Sequence, residues 1–234
     1  MVIDVHTHVL PGMDDGSASS DESIAMLREE AGKGIRTVVA TPHFYARYDQ
    51  PEEFFRRREA AMERLEKAME GHSDLPEVKL GAEVYFFPGM SDSNVLQQLA
   101  IDGKRCVLVE MPMGKWTDRM YRELADIRSR QDLIPIVAHL DRYLNRFNAP
   151  GILRKLEELP VLIQANASFF LRPSTVNMAM KMLRRGQIHL LGSDCHNMDQ
   201  RKPWLGEAVE LIRQRLGEDV LKQIHDNQEF VFQG

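Results

Sequence analysis

Residues 3–16, IDVHTHVLPGMDDG, carry the strongest structural signal in the sequence. An apolar run leads directly into His6 and His8. Because side chains alternate along an extended chain, these two imidazoles point to the same side. Asp14 and Asp15 follow in the next loop. The segment therefore predicts a buried strand that ends in a group of metal-ligand side chains.

Six further apolar runs follow along the chain, each leading into polar residues and then into a helical pattern. Near-continuous Val, Ile and Leu runs are typical of strands that are buried on both faces of a parallel sheet. The seven predicted strands are Val2–Val5, Arg36–Ala40, Val78–Ala82, Arg105–Val109, Leu133–Ala138, Val161–Ala165 and Ile188–Gly192.

Helical periodicity fills the intervals between these runs. Ser19 and Glu22 have the spacing of a capping box for the first helix, and Asp49 and Pro51 open the second. The later predicted helices are Thr117–Gln131, Ala149–Glu158, Ser174–Arg185 and two segments within Pro203–Asn227.

Seven alternating strand–helix units predict an α/β fold, a distorted seven-stranded (β/α)7 TIM-like barrel of parallel strands with outer helices. The sequence has no internal repeat and no low-complexity linker, so residues 1–234 are predicted to form a single domain. An open doubly wound sheet is the alternative. The phosphate-binding glycine loop that would favour it is absent from the sequence.

Metal-ligand residue types stand at or just after the ends of six of the seven predicted strands. Each alone would more simply be a cap, an ion-pair partner or a hydrogen-bonded core residue, but the carboxyl ends of barrel strands meet at one mouth. Divalent cations would offset the repulsion among buried carboxylates, and ligands without thiolate suit Mn²⁺, Fe, Zn²⁺ or Mg²⁺. The predicted ligands are His6, His8, Asp15, His43, Glu83, Glu110, His139, Asp194 and His196.

Two arginines lie close to these residues in the sequence. Arg142 follows His139 by three positions, and Arg201 follows His196 by five. Guanidinium groups bind phosphate oxygens in a bidentate manner, so the two arginines indicate a phosphorylated substrate. The alternative for each is an ion pair with a nearby carboxylate, such as Asp141 or Asp199.

Cys195 and Arg201 also have the Cys-x5-Arg spacing of thiol-based tyrosine phosphatases. Those enzymes need a loop whose backbone N–H groups surround the phosphate and lower the pKa of the thiol. The intervening segment has no glycine, and alternation places Cys195 opposite Asp194 and His196. We therefore expect Cys195→Ser to leave activity largely intact and a chelator to abolish it.

Composition narrows the remaining functional classes. The net charge is −5, from 30 basic and 35 acidic residues, and no broad basic footprint for nucleic acid is present. No apolar run approaches the roughly 18 residues of a membrane span, and the N-terminus lacks a signal-peptide pattern. Only two cysteines occur, with neither disulfide nor zinc-finger spacing. We expect a cytoplasmic protein that does not insert into membranes.

Several motifs together resemble the polymerase-and-histidinol-phosphatase (PHP) superfamily, in order and over nearly the whole chain. They are His6-Thr7-His8, Asp14-Asp15-Gly16, Thr41-Pro42-His43, Gly81-Ala82-Glu83, His139 with Arg142-Tyr143, and Ser193-Asp194-Cys195-His196-Asn197. The opening segment 3–16 resembles more closely the bacterial manganese-dependent protein-tyrosine phosphatases of capsule and exopolysaccharide loci. The sequence departs from the family pattern at Leu140 and Phe44, neither of which is a predicted ligand.

The resemblance implies a site with three metal ions, most simply Mn²⁺, in a distorted seven-stranded barrel. It assigns His6, His8, Glu83 and Asp194 to one ion, with Glu83 bridging to a second held with Glu110 and His139. It assigns Asp15, His43 and His196 to the third. Arg142 and Arg201 match the positions at which the family binds phosphate, and the implied substrate is the phosphotyrosine tail of a bacterial tyrosine autokinase that controls polysaccharide export.

The predicted reaction is hydrolysis without a covalent intermediate, in which a hydroxide generated at the metal attacks phosphorus in line. The metals and arginines stabilise charge on the phosphoryl oxygens. Asp199 and His43 are candidates for a general acid. Histidinol-phosphate hydrolysis by the same chemistry is the nearest alternative, and an inactive metal-bound docking module is a more distant one that the complete ligand set disfavours.

Overall fold

Parallel strands form the centre of the structure, a computed structural model that describes residues 2–144 and 149–233, without the side chains of residues 149 and 150. Within these residues, all strand pairings are parallel, as predicted. The strands are β1 (Asp4–Thr7), β2 (Thr37–Ala40), β3 (His43–Phe44), β4 (Glu77–Leu80), β5 (Glu83–Tyr85), β6 (Cys106–Glu110), β7 (Ile134–Val137), β8 (Leu162–Asn166) and β9 (Leu190–Gly192).

The strands belong to two sheets. One sheet has the order β1-β2-β4, and the other has the order β3-β5-β6-β7-β8-β9. An isolated parallel bridge between Thr7 and Cys195 joins the end of β1 to the segment after β9. The sheet surface is therefore curled, with the first and last strands next to each other.

Two short strands that were not predicted, β3 and β5, follow the predicted second and third strands. Nine strands in two sheets therefore occur in the described residues, and a count of seven in one sheet is not confirmed. Thr41 and Pro42 separate β2 from β3, and Gly81 and Ala82 separate β4 from β5. Pro42 has no N–H group to donate to a ladder. Its carbonyl oxygen accepts a hydrogen bond from the Glu83 N–H group at 3.0 Å, an ordinary length for such a bond.

Helices surround the strands. Ser19 caps the first helix through a 3.2 Å hydrogen bond from the Glu22 N–H group, and Pro51 occupies the first position of the second, as predicted. The helices are α1 (Ser20–Gly32), α2 (Pro51–Met69), α3 (Val95–Leu99), α4 (Asp118–Gln131), α5 (Asp141–Leu144), α6 (Ala149–Glu157), α7 (Ala167–Leu171), α8 (Val176–Arg184), α9 (Leu205–Leu216) and α10 (Glu218–Phe232). The short helices α3, α5 and α7 were not predicted.

The buried apolar residues form two clusters. The larger one lies between the strands and the helices and includes Leu27, Val107 and Phe170. The smaller one contains Val5, Val39, Leu108, Ile136, Leu190 and, from α10, Val231. Because Leu108 and Glu110 are two positions apart on β6, the smaller cluster lies beneath Glu110. An apolar layer thus supports the end of the sheets at which the polar residues gather.

In the part of the chain that the structure describes, no helix combines the length and the apolar character needed to cross a lipid bilayer.

Candidate metal centre

His6 lies on β1, His8 directly follows that strand, and both side chains are buried. Their Nε2 atoms are 3.3 Å apart. The segment after β9 holds this end of β1 in place, because the His6 carbonyl oxygen accepts from the Asp194 N–H group at 2.8 Å and the His8 N–H group donates to the Cys195 carbonyl oxygen at 2.9 Å. Residues 6 and 194 are therefore neighbours in space.

Glu83, the first residue of β5, lies at the centre of the cluster and is almost completely buried. Its Oε2 atom is 3.2 Å from His6 Nε2, 3.4 Å from His8 Nε2 and 3.0 Å from His43 Nδ1. Its Oε1 atom is 2.7 Å from His139 Nε2. One carboxylate thus faces four imidazoles.

Asp15 contributes the exposed side of the cluster. Its Oδ1 atom is 3.3 Å from His43 Nε2 and 3.4 Å from His196 Nε2. Donor atoms of His8, Asp15, His43 and His196 lie mutually within 4.8 Å, which makes them one possible ligand set.

Two further ligand sets satisfy the same distance criterion, His6 with His8 and Asp194, and His43 with Glu83 and Glu110. His139 adjoins the second of these, because its Nε2 atom is 3.6 Å from Glu110 Oε1. All nine predicted ligands therefore belong to one connected cluster, in which each set brings together side chains from two or three distant parts of the sequence.

His139 and Asp194 adopt left-handed backbone conformations, with φ of 32° and 54°. Such conformations cost about 1–3 kcal/mol in residues other than glycine and persist where the surroundings enforce them. The Gln164 side chain contributes here, since its Oε1 atom accepts from the His139 N–H group at 2.6 Å. These two residues turn their side chains into the cluster at this energetic expense.

Glycine is required where the chain approaches the histidines. A Cβ atom at position 16 would lie 2.3 Å from the His8 carbonyl oxygen, and one at position 192 would lie 2.7 Å from His6 Cβ. Gly16 and Gly192 therefore allow the loop and β9 to pack directly against His8 and His6.

Electrostatic coupling within the cluster is strong. Burial opposes protonation of His8 and His43, but the adjacent carboxylates of Asp14, Asp15 and Glu83 outweigh it and raise the pKa of His8 to about 9 and that of His43 to about 10. Burial disfavours a charged Glu83, yet the surrounding histidines hold the pKa of that carboxyl well below its usual range. The carboxylates and imidazoles of the cluster therefore favour each other's charged forms.

The donor set fits divalent cations. Among the described residues, Glu83 Oε2, His139 Nδ1 and His196 Nε2 are buried and lack a hydrogen-bond partner. Nitrogen and oxygen ligands bind such cations at about 2.0–2.2 Å, so ligands of one ion lie roughly 3–3.5 Å from each other. The distances between donor atoms around Glu83 match this spacing.

Arg142 and Arg201 lie at the rim and are partly exposed. Arg142 Nη2 donates to Asp194 Oδ2, and Arg201 Nη2 donates to Asp194 Oδ1 at 2.7 Å. The same guanidinium groups lie 3.5 Å from Glu110 Oε1 and 3.9 Å from Asp15 Oδ2. The ion-pair partner is thus Asp194 rather than Asp141 or Asp199, and phosphate binding by these arginines stays a prediction.

Asp199 is exposed and lies apart from these contacts. Its N–H group donates to Asn197 Oδ1 at 3.0 Å, and its carboxylate forms no ion pair with any described residue. Cys195 is fully buried, and burial together with Asp4 and Glu30 raises the pKa of its thiol well above the usual range. A protonated thiol is a poor nucleophile, which is unfavourable for the Cys-x5-Arg alternative.

Three residues that orient the cluster were not among the predicted site residues. Asp14 Oδ2 is 2.7 Å from His8 Nδ1, Asn166 Nδ2 donates to Asp194 Oδ2 at 2.9 Å, and Gln164 binds the His139 N–H group. Gln164 lies within an apolar predicted strand, and a buried amide there needs hydrogen-bond partners. This polar interruption, with the paired Asp14-Asp15, was the available sequence signal.

Known proteins resemble this chain over nearly its whole length. Residues 2–233 match the profile of a family described as capsular polysaccharide synthesis, CpsB/CapC. The chain is 27% identical over 233 residues to the tyrosine-protein phosphatase CpsB of Streptococcus pneumoniae, covering 95% of this chain and 94% of that protein. It is 26% identical over 241 residues to the tyrosine-protein phosphatase YwqE of Bacillus subtilis strain 168, covering 98% and 91%.

A solved structure shares the fold. It comes from work on YwqE from Bacillus subtilis and CpsB from Streptococcus pneumoniae, described there as unique metal-dependent tyrosine phosphatases. The TM-score is 0.86 at 24% sequence identity, with 98% of this chain and 94% of that chain covered.

Proposed function

The chain belongs to the CpsB/CapC family of capsular polysaccharide synthesis, and from this membership we propose that it is a metal-dependent protein-tyrosine phosphatase. The observation that carries the proposal is the single cluster of five histidines and three further carboxylates around Glu83. Its relatives in Streptococcus pneumoniae and Bacillus subtilis are named tyrosine-protein phosphatases.

The proposed cofactor is a set of three divalent cations, with Mn²⁺ first and Fe, Zn²⁺ or Mg²⁺ as alternatives. Three overlapping ligand sets support this number, and the absence of thiolate from them favours harder cations. His43 and His8 each occur in two sets, so either could serve a neighbouring ion. When bound, the cations supply Lewis acidity toward the phosphoryl group and make a water molecule acidic near neutral pH.

The protein's own side chains position and neutralise the phosphate in this proposal. Arg142 and Arg201 exchange their bonds with Asp194 for bonds with phosphate oxygens, where guanidinium geometry suits bidentate binding. Asp194 is then free to act as a ligand. A tyrosine leaving group has a pKa of about 10, so it departs with less protonation than an alkyl alcohol needs. A general acid at Asp199 is therefore dispensable.

The proposed substrate is a phosphotyrosine segment of a bacterial tyrosine autokinase that regulates capsule or exopolysaccharide synthesis, in the cytoplasm. The family description and the names of the relatives support the capsule setting and the phosphotyrosine class. For the fold, we infer one domain over 1–234 in which β2 with β3 and β4 with β5 act as two interrupted strands, which gives a distorted seven-stranded barrel.

Hydrolysis assays test the proposal. With added Mn²⁺, the purified protein should hydrolyse p-nitrophenyl phosphate and a phosphotyrosine peptide, and excess EDTA should abolish both activities. Glu83→Gln should lower kcat/KM for both substrates at least 100-fold because it weakens several ligand contacts at once. Cys195→Ser is the matched control and should retain activity.

The same assay separates the alternatives. Turnover of histidinol phosphate above that of the peptide would favour a small-molecule phosphatase. Failure to hydrolyse any aryl phosphate with Mn²⁺, in protein that binds the metal, would instead favour a docking module.

A further inference from the structure

A cavity of about 180 Å³ adjoins the metal-ligand cluster. Arg142, Asp194 and Arg201 form one of its walls, so the cavity begins where the predicted phosphate-binding arginines lie. It extends away from the histidines, none of which lines it. A substrate whose phosphate contacts these arginines would therefore have a neighbouring group within reach of the cavity.

Two further cations line the cavity beyond this wall. Arg172 follows the end of α7, and Lys202 lies in the turn before α9. Within the residues that the structure describes, neither forms an ion pair with a carboxylate, whereas Arg142 and Arg201 both bind Asp194. Arg172 and Lys202 thus present positive charge that the protein itself leaves without a counter-charge.

The two carboxylates that line the cavity are engaged elsewhere. Asp194 accepts from both site arginines and, at 2.9 Å, from Asn166 Nδ2. Asp141 accepts from the Asn166 N–H group at 3.0 Å, and burial raises the pKa of its carboxyl. Neither carboxylate offsets the charge of Lys202 or Arg172.

The turn that carries Lys202 is held in one conformation. Asn197 Oδ1 accepts hydrogen bonds from the three N–H groups of residues 199–201, at 2.9–3.1 Å. The Arg201 carbonyl oxygen in turn accepts from the His196 N–H group at 2.8 Å. The backbone that leads into Lys202 is therefore fixed relative to the metal-ligand cluster, and this lowers the backbone part of the entropic cost of binding an anion.

We propose that Arg172 and Lys202 form a second anion-binding subsite that selects a negatively charged group next to the phosphotyrosine of the substrate. The group is a carboxylate of Asp or Glu or a second phosphate, both of which suit these cations. The inference rests on the proposed phosphatase function and adds a specificity to it. Half-buried Trp204 lines the same cavity and contributes an apolar surface for the substrate chain.

Peptide assays test the subsite. The substrates are three phosphotyrosine peptides of equal length, with neutral residues, with acidic residues, or with a second phosphorylated residue beside the phosphotyrosine. We expect the wild type to prefer one or both anionic peptides over the neutral one by about tenfold in kcat/KM, the value of one charge-assisted hydrogen bond. The favoured peptide identifies the anion as carboxylate or phosphate.

In Lys202→Gln and in Arg172→Gln, this preference should shrink several-fold, mainly through KM, and in the double variant it should disappear. Lys181→Gln, an exposed lysine that lines a different surface cavity, should keep the wild-type preference. An unchanged ratio between anionic and neutral peptides in the double variant would overturn the subsite, even if all rates fall together. A wild type that hydrolyses no phosphotyrosine substrate with Mn²⁺ would overturn the proposed function instead, and the subsite with it.

Discussion

Gly192 controls how closely β9 approaches the first histidine of the cluster. A Cβ atom there would lie 2.7 Å from His6 Cβ and 2.9 Å from Gln164 Nε2, which is closer than real Cβ contacts. We expect Gly192→Ala to displace His6 and to weaken Mn²⁺ binding about tenfold or more, in the range of other changes that disturb ligand orientation. Isothermal titration with Mn²⁺ measures this. Gly114→Ala, where a Cβ meets nothing within 4 Å, should bind like the wild type.

Asp14 orients His8 from behind. Its Oδ2 atom lies 2.7 Å from His8 Nδ1 and accepts from the His43 N–H group at 3.0 Å. Because a carboxylate behind a ligating histidine fixes the ring and raises its basicity, Asp14→Asn should lower Mn²⁺ affinity about 10- to 100-fold. The exposed Asp74→Asn is the control in the same titration. Equal affinities for the two variants would contradict a role for Asp14.

Proton release should accompany metal binding. The pKa values of His8 and His43 are raised to about 9 and about 10, so both rings are protonated at pH 8 in the metal-free protein. A ligating imidazole must lose its proton, so Mn²⁺ binding at pH 8 should release about two protons, and affinity should rise with pH until about pH 9–10. Calorimetry in buffers of different ionisation enthalpy counts the protons. An identical heat in all buffers would contradict the prediction.

For single residues, the sequence was sufficient to predict which side chains belong to the cluster, but not which of them contact each other. Strand ends and alternation were enough to predict that His6, Glu83, His139 and Asp194 converge. The pairing of both arginines with Asp194 could not be predicted, because it depends on how the segments that carry residues 142, 194 and 201 are placed relative to each other. The left-handed backbone conformation of His139 and Asp194 could not be predicted from the local sequence either, because tertiary contacts enforce it.

The secondary-structure elements differ from the prediction mainly where the site is built. The apolar run 36–40 was correctly predicted to form a strand. Thr41 and Pro42 then separate it from the short strand β3, which carries His43. The run 78–82 likewise breaks at Gly81 before β5 begins with Glu83. Hydrophobic periodicity predicted the runs that end at Ala40 and Ala82, but β3 and β5, with two and three residues, are too short to give a periodic signal. The breaks place ligands that an unbroken strand would align differently.

Helix α1 contributes an unusual contact with β1. Glu30 of α1 is completely buried beside Asp4 of β1, and both oxygens of Glu30 lack a hydrogen-bond partner among the described residues. Burial and the proximity of Asp4 raise the pKa of Glu30 well above its usual range, and burial raises that of Asp4 to about 6. The two carboxyl groups thus lie next to each other in the interior, between the helix and the strand. Because burial and the repulsion between like charges disfavour a second negative charge, Glu30 is favoured in its neutral form.

This pair predicts a pH-dependent effect of Glu30→Gln. A carboxyl whose pKa is higher in the folded state than in the unfolded state lowers stability as pH rises above the unfolded value of about 4.5. Gln cannot ionise, so the variant should gain about 1–3 kcal/mol relative to the wild type between pH 5 and pH 8. Urea unfolding in EDTA at both pH values measures the difference, with the exposed Glu63→Gln as control. A pH-independent difference would contradict a raised pKa of Glu30.

In the whole molecule, the metal-ligand cluster joins the two ends of the strand order. His6 lies on β1 of one sheet, and three ligands lie on strands of the other sheet, His43 on β3, Glu83 on β5 and Glu110 on β6. The remaining ligands, His8, Asp15, His139, Asp194 and His196, lie in loops. The βα alternation was sufficient to predict parallel strands and a shared carboxyl end. It could not predict two sheets linked through one Thr7–Cys195 bridge, because closure depends on the twist and register of all strands together.

Because the ligands come from both sheets, removal of metal should lower the free energy of unfolding of the whole domain rather than destabilise one loop. Cations that bind only the folded state stabilise it by about 2.7 kcal/mol when present at 100 times Kd. For a chain of this size, that corresponds to a rise in Tm of roughly 5–10 °C. Thermal unfolding of the wild type in Mn²⁺ and in EDTA measures the shift.

Glu83→Gln provides the decisive comparison in that experiment, because Glu83 contacts His6, His8, His43 and His139 at once. Its unfolding temperature should respond little to Mn²⁺, while Asp74→Asn should respond like the wild type. If the wild type unfolded at one temperature in both conditions, the cluster would not hold cations. In that case the buried carboxylates would have to be balanced by protonated histidines alone. The wild type in EDTA should then lose stability as pH rises from about 6.5, the ordinary pKa of histidine, to about 9–10, where His8 and His43 have lost their protons in the folded state as well.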